Sequence, residues 1–127
     1  MAALVVDLDT AGHALRLLVR GDVDLVSHDQ LREALNIALD ATGRRPIEVD
    51  LSGVTFLDAA GVGLLIGAYK AALRRRLTLR VAGASGIVLR VLEMTGAAPL
   101  LVSADTASTP RVPKWRWLFV SLSRRSG

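Results

Sequence analysis

Val49-Asp50-Leu51-Ser52-Gly53-Val54-Thr55-Phe56-Leu57-Asp58-Ala59-Ala60-Gly61-Val62-Gly63-Leu64-Leu65 is the stretch that decides the fold. It reads as a strand, a turn at Ser52-Gly53, and a helix that opens at Asp58. Aspartate is a good N-cap, because its carboxylate accepts one of the unpaired N–H groups of the first turn, here that of Ala60 or Gly61. Beyond it, Val62, Leu65, Ile66, Tyr69 and Leu73 recur at helical spacing and define one buried face. Gly63, Gly67, Lys70 and Arg74 fall on the opposite side. A strand feeding a capped helix sets a loop and a positive dipole end at one edge of the sheet. That is a common place for a site in an open α/β sheet.

Upstream, Leu4 to Leu8 and Leu15 to Val19 are rich in Val and Leu, with Asp9-Thr10-Ala11-Gly12 between them, which predicts an antiparallel hairpin. Gly21-Asp22-Val23-Asp24-Leu25 leaves the second strand. A helix then starts near Ser27 or His28 and places Leu31, Ala34, Leu35, Ala38 and Leu39 on one face. Gly43 ends it and Pro46 cannot continue it. Ile47 to Leu51 is the third strand, and the Asp58 helix runs to about Arg75. Leu77 to Val81 is a fourth strand, cut off at Gly83. Ser85 caps a further helix that buries Val88, Leu89 and Leu92 and closes at Gly96. Pro99 to Val102 reads as a short extended piece. A hairpin followed by alternating helices and strands implies a single α/β domain, with a mixed sheet of four to five strands and helices packed against it.

The chain has 127 residues, enough for one domain with a sizeable core. No apolar run approaches the roughly 18 residues that span a bilayer, and no charged-then-apolar leader is read at the start, so a cytoplasmic protein is expected. Cysteine is absent, which excludes disulfides, thiol nucleophiles and cysteine metal sites. The net charge of +4 is unevenly placed. Residues 1–102 hold eleven basic and eleven acidic residues, whereas residues 103–127 hold five basic residues against Asp105. The excess therefore belongs to the tail, and the domain has no basic footprint for DNA; direct DNA binding is not expected.

Three motifs, in order, carry a resemblance. Asp50 to Ala72 resembles the signature of the bacterial anti-sigma factor antagonists of the STAS domain family. Gly21-Asp22-Val23-Asp24 is similar to that family's Gly-Glu-Leu-Asp segment, and Leu89-Arg90-Val91-Leu92-Glu93-Met94-Thr95-Gly96 to its Val-Leu-Glu-x-Thr-Gly segment. The resemblance covers about residues 4–102. It implies a STAS-like fold and a non-catalytic regulatory domain that binds an anti-sigma factor of the serine-kinase type, releasing the sigma factor by partner switching. In the family an Asp-Ser-Ser-Gly or Asp-Thr-Ser-Gly opens this helix, and the kinase phosphorylates the Ser before the Gly. Here Asp58 and Gly61 match, but Ala59 and Ala60 stand between them. Ala60 takes the phosphoacceptor's place and has no hydroxyl. An accessory STAS-like subunit of a membrane transport or sensory assembly is the second reading.

The resemblance gives Asp24, Asp58, Ala59, Ala60, Gly61 and Gly63 as the partner-binding set. Each has a plainer reading. Asp58 serves as a cap, Asp24 as a solvated turn residue, and Gly63 with Gly67 as a site of tight packing within the domain. A side chain at Gly61 is expected to crowd a docking partner. His13 and His28 lack accompanying ligands, so no metal and no cofactor is expected. No nucleophile elbow and no phosphate-cradling loop is present, so no catalytic residue is assigned and the chain reads as no enzyme. Residues 103–110 read as a polar linker to a basic, aromatic tail with Trp115, Trp117 and Phe119. For that tail, contact with an anionic membrane or a partner groove, folding back onto the domain, and disorder all stay open.

All periodic segments end by Val102, so residues 1–102 are expected to fold alone. A version truncated there should keep a cooperative thermal transition; its loss or aggregation shows that Trp115 or Trp117 belongs to the core.

Overall fold

The computed structural model describes residues 3–102; the linker and tail readings fall outside them. Strands β1 (Val5–Asp9) and β2 (Leu15–Val23) are followed by α1 (His28–Ala41), β3 (Ile47–Leu57), α2 (Ala59–Arg74), β4 (Leu79–Ala82), α3 (Gly86–Met94) and α4 (Ala98–Leu101). The four strands form one sheet in the order β1-β2-β3-β4. β1 pairs antiparallel with β2, while β2–β3 and β3–β4 are parallel. This is the mixed α/β sheet that the alternation of elements implies.

Burial alternates along the central strands with the period of two that a pleated sheet imposes. Leu15, Leu17, Val19 and Val23 of β2, Ile47, Val49 and Leu51 of β3, and Leu79 and Val81 of β4 turn toward the helices. They meet Leu31, Leu35 and Leu39 of α1, Val62, Leu65 and Ala72 of α2, Val88 and Leu92 of α3, and Leu101 of α4 in one core. A fully buried side chain of this size contributes about 1.5–3 kcal/mol.

Several elements differ from the sequence reading. Ser52-Gly53 is not a turn: β3 runs on to Leu57, still paired with β2 through Arg20↔Gly53, Gly21↔Val54 and Val23↔Leu57. The register shifts twice along this ladder, so β3 absorbs two extra residues as bulges, and glycine suits a bulge because it leaves room. A Cβ at Gly53 would lie 2.4 Å from the Cγ of Arg20. On α2 the buried stripe runs through Gly61, Val62, Leu65, Ala68 and Ala72, with Ile66 and Tyr69 partly buried, and Leu73 is 52% exposed. Alanines, which allow close approach to the sheet, displace the larger leucine from the core side. Leu89 is half-buried. Ser85 occupies the N-cap of α3 without a side-chain capping bond. Pro99 to Leu101 is helical rather than extended, with Val102 as the C-cap, since proline is tolerated in a first turn and Leu101 gains full burial there. Gly43 and Gly96 do end their helices, at positive φ of 65° and 79°.

The other side of the sheet is polar and internally paired. Arg16 Nε donates to Glu48 Oε1 at 3.0 Å and its Nη2 to Asp50 Oδ2 at 2.9 Å, while Arg80 Nη2 stands 4.0 Å from Glu48 Oε2. Burial pushes the Glu48 carboxyl above the usual carboxylate range, Arg16 and Arg80 pull it back, and Asp50 pushes it further up. A raised value means that the folded chain holds this proton more tightly than the unfolded chain. The stability from the neutral acid is complete below the unfolded value and is lost as pH rises through the folded one. Wild type should therefore lose ground to Glu48→Gln as pH rises from about 4 toward neutrality. Denaturant unfolding of both proteins across that range measures it; a pH-independent difference shows that Glu48 titrates as it does in the unfolded chain.

Candidate functional site

Because β2 and β3 are parallel neighbours, their C-terminal ends lie side by side, and the two segments that leave them meet at one edge of the sheet. Val23 pairs with Leu57, and the Asp58 N–H donates to the Val23 carbonyl at 3.2 Å. The structure thus brings together two pieces that lie over thirty residues apart in sequence. One is the Asp24 turn before α1; the other is the start of α2.

The Asp24 turn is tightly bonded. Asp24 Oδ1 accepts the N–H of Val26 at 3.1 Å and of Ser27 at 3.3 Å, and the Asp24 N–H donates to Ser27 Oγ at 3.1 Å. Ser27 is buried, and its hydroxyl donates to the Asp22 carbonyl at 2.9 Å instead of capping α1. Asp24 is thus a half-buried organiser of its turn rather than a solvated aspartate. This geometry holds Leu25 and Val26 outward, 82% and 91% exposed. Two adjacent apolar side chains thus stand exposed on a hydrogen-bonded turn. The sequence carried that signal, as an apolar doublet between Asp24 and Ser27, and the sequence reading passed it over.

Asp58 caps α2 as its residue type predicts: Oδ1 accepts the Gly61 N–H at 2.7 Å. It also has a second partner that the sequence reading missed. His28 Nε2, at the first position of α1, lies 2.9 Å from Oδ1 and 3.0 Å from Oδ2. The sequence offers His28 as a helix start and as a metal ligand without companions, and nothing in the linear order links it to Asp58. Among the described residues no cluster of three or more His, Asp or Glu side chains is placed to hold a metal ion.

Ala59, Ala60, Gly63 and Gly67 are exposed. A Cβ at Gly63 or Gly67 would meet nothing within 4 Å, so the packing role within the domain does not hold for either. Gly61 is the reverse. A Cβ there would lie 2.6 Å from Val23 Cγ1 and 2.8 Å from Leu57 Cδ1, so a side chain at Gly61 crowds the core and not a docking partner. The outer face of the helix start is consequently built from backbone and methyl groups, flanked by the Asp24 turn.

A family model described as "Mlab, STAS domain" matches residues 6–102. The chain belongs to the STAS domain family. Among curated proteins this STAS chain is 30% identical over 98 residues to the anti-sigma-B factor antagonist of Staphylococcus aureus, covering 77% of this chain and 90% of that protein. It is 28% identical over 85 residues to the anti-sigma-B factor antagonist of Listeria monocytogenes, covering 67% of this chain and 74% of that protein. The STAS fold is shared with two solved structures. An anti-sigma factor antagonist from Mycobacterium paratuberculosis has a TM-score of 0.66 at 22% identity over 78% of this chain and 83% of that one. The anti-sigma factor antagonist SpoIIAA in its unphosphorylated form has a TM-score of 0.66 at 19% identity, over 77% of this chain and 86% of that one. No helix among the described residues is long and apolar enough to cross a membrane.

The glycines of α2 give a sharp contrast. Gly61→Ala should destabilise the domain by about 1–3 kcal/mol through overpacking. Gly63→Ala and Gly67→Ala should each stabilise it by roughly 0.5–1 kcal/mol, because alanine is the better helix former where space is open. Denaturant midpoints of the three variants provide the measurement.

Proposed function

We propose that this protein is a non-catalytic anti-sigma factor antagonist that docks through the Asp24 turn and the start of α2. The observation that carries the proposal is the joining of those two segments at one sheet edge, with Ala59, Ala60 and Gly63 exposed beside Asp24 and Asp58. The names of the Staphylococcus and Listeria relatives point to the same role. The partner in this reading is an anti-sigma factor of the serine-kinase type. Small residues at the helix start let its surface approach the backbone closely, while Leu25 and Val26 supply apolar contact. Gly61 supports the surface from beneath.

Ala59 and Ala60 offer no oxygen to a kinase, so in this reading the family's phosphorylation switch is missing at its usual place. A phosphate there would add about −1.5 to −2 charge at the interface. Without that off-switch the antagonist stays competent to bind, or its control acts elsewhere.

Ala60→Glu tests the surface. An acid in the first helical turn is mildly favourable, by about 0.3–1 kcal/mol, so the variant should fold with an unchanged or slightly raised unfolding temperature. It should lose affinity for the anti-sigma factor encoded in the same genome, because an uncompensated charge in a desolvated contact costs several kcal/mol. Ala60→Ser should bind as wild type does. Calorimetric titration decides: full affinity in a folded Ala60→Glu protein places the interface elsewhere, and a partner from a transport complex favours the accessory-subunit role.

A further inference from the structure

We propose that His28 is a positioning residue of the docking surface, holding the start of α2 in fixed register with the Asp24 turn. The inference rests on the docking surface assigned above and adds what keeps its two halves together. A carboxylate only accepts hydrogen bonds, so the short contacts of His28 Nε2 to both oxygens of Asp58 require the proton to sit on Nε2. Nε2 stands at nearly equal distance from both oxygens, and Oδ1 of that same group caps the Gly61 N–H, so the imidazole and the Gly61 amide together hold the carboxylate from two directions. The imidazole is therefore one of the two donors that orient the group that starts α2.

On its other side His28 follows Ser27 directly. The Ser27 backbone and hydroxyl carry four of the bonds that shape the Asp24 turn and tie it to Asp22. The bonds of Ser27 to Asp24 and Asp22 and those of His28 to Asp58 thus belong to adjacent residues, so the peptide link between Ser27 and His28 joins the network of one docking segment to that of the other. The His28 side chain is 13% exposed and that of Asp58 is 30% exposed, so the bond is partly shielded from competing water. The backbone contact from Asp58 to Val23 joins the strand ends, and the Gly61 N–H holds the Asp58 side chain only from its own segment. Only the imidazole, among the described residues, links that side chain to the opposite segment.

An ordinary buried side chain is distinguished from a positioning residue by where its loss is felt. In His28→Ala, the amides of Gly61, Val26 and Ser27 should exchange with solvent about tenfold faster, while that of Leu92 on α3 stays protected. His28→Gln should restore protection, because the glutamine amide nitrogen reaches the place of Nε2 and donates in the same direction. Affinity for the anti-sigma factor should fall about tenfold in His28→Ala and recover in His28→Gln. Faster exchange that extends to Leu92, or a glutamine variant no better than alanine, overturns the proposal. If His28→Ala binds at full strength while Ala60→Glu does not, the positioning role falls and the docking surface stands. If both bind at full strength, the docking surface itself fails and takes this inference with it.

Discussion

Parallel pairing of β2 with β3 is the constraint from which the rest of the molecule follows. Parallel neighbours cannot be joined by a hairpin, so the chain must cross over, and α1 makes that crossing. The crossover covers one face of the sheet and gives the central strands their inward rows of Leu, Val and Ile. It also forces both strands to end at the same edge. Whatever follows Val23 must lie beside whatever follows Leu57, and the Asp58 N–H to Val23 carbonyl bond is the local expression of that rule.

Much of this was legible in the chain because it depends on local chemistry. Asp58 caps, Gly43 and Gly96 terminate, and Leu31, Leu35 and Leu39 repeat at helical spacing whatever lies around them. Failures arose where a tertiary neighbour outweighed a local preference. Ser52-Gly53 has turn composition, yet the ladder to β2 persists through it because bulges accommodate the mismatch. Leu73 has the right period for the core, but Ala68 and Ala72 fill the narrow space between α2 and the sheet. Gly63 and Gly67 suggested close packing from their spacing alone, and no linear pattern reveals which side of a helix lacks a neighbour. The candidate site shows the same division. Its two segments each stood out in the sequence. Their meeting through His28 and Asp58 is a contact across thirty residues that spacing cannot disclose.

Asp58 combines two roles that a single reading would separate. As a cap it contributes roughly 0.5–2 kcal/mol, which accounts for its presence without any partner. As the acceptor for His28 it also connects the two helix starts, so the stability of α2 and the shape of the exposed edge depend on one carboxylate. The half of its first turn that faces outward carries only methyls and backbone. A surface of that kind gains little from its own side chains and much from holding still.

The ends of the sheet have a consequence of a different kind. Both outer strands are short: β1 has five residues, two of them Asp7 and Asp9, and β4 has four before Gly83 turns away at positive φ. An exposed strand edge is a template for further chains, and long, flat, uncharged edges seed aggregates. Here the β1 rim carries Asp9 and the Asp7–Arg20 ion pair, charges that disfavour an added apolar strand, and β4 gives a newcomer too little length to grip. The domain can therefore display apolar groups such as Leu25 and Val26 to a partner without offering its own sheet for extension into fibrils.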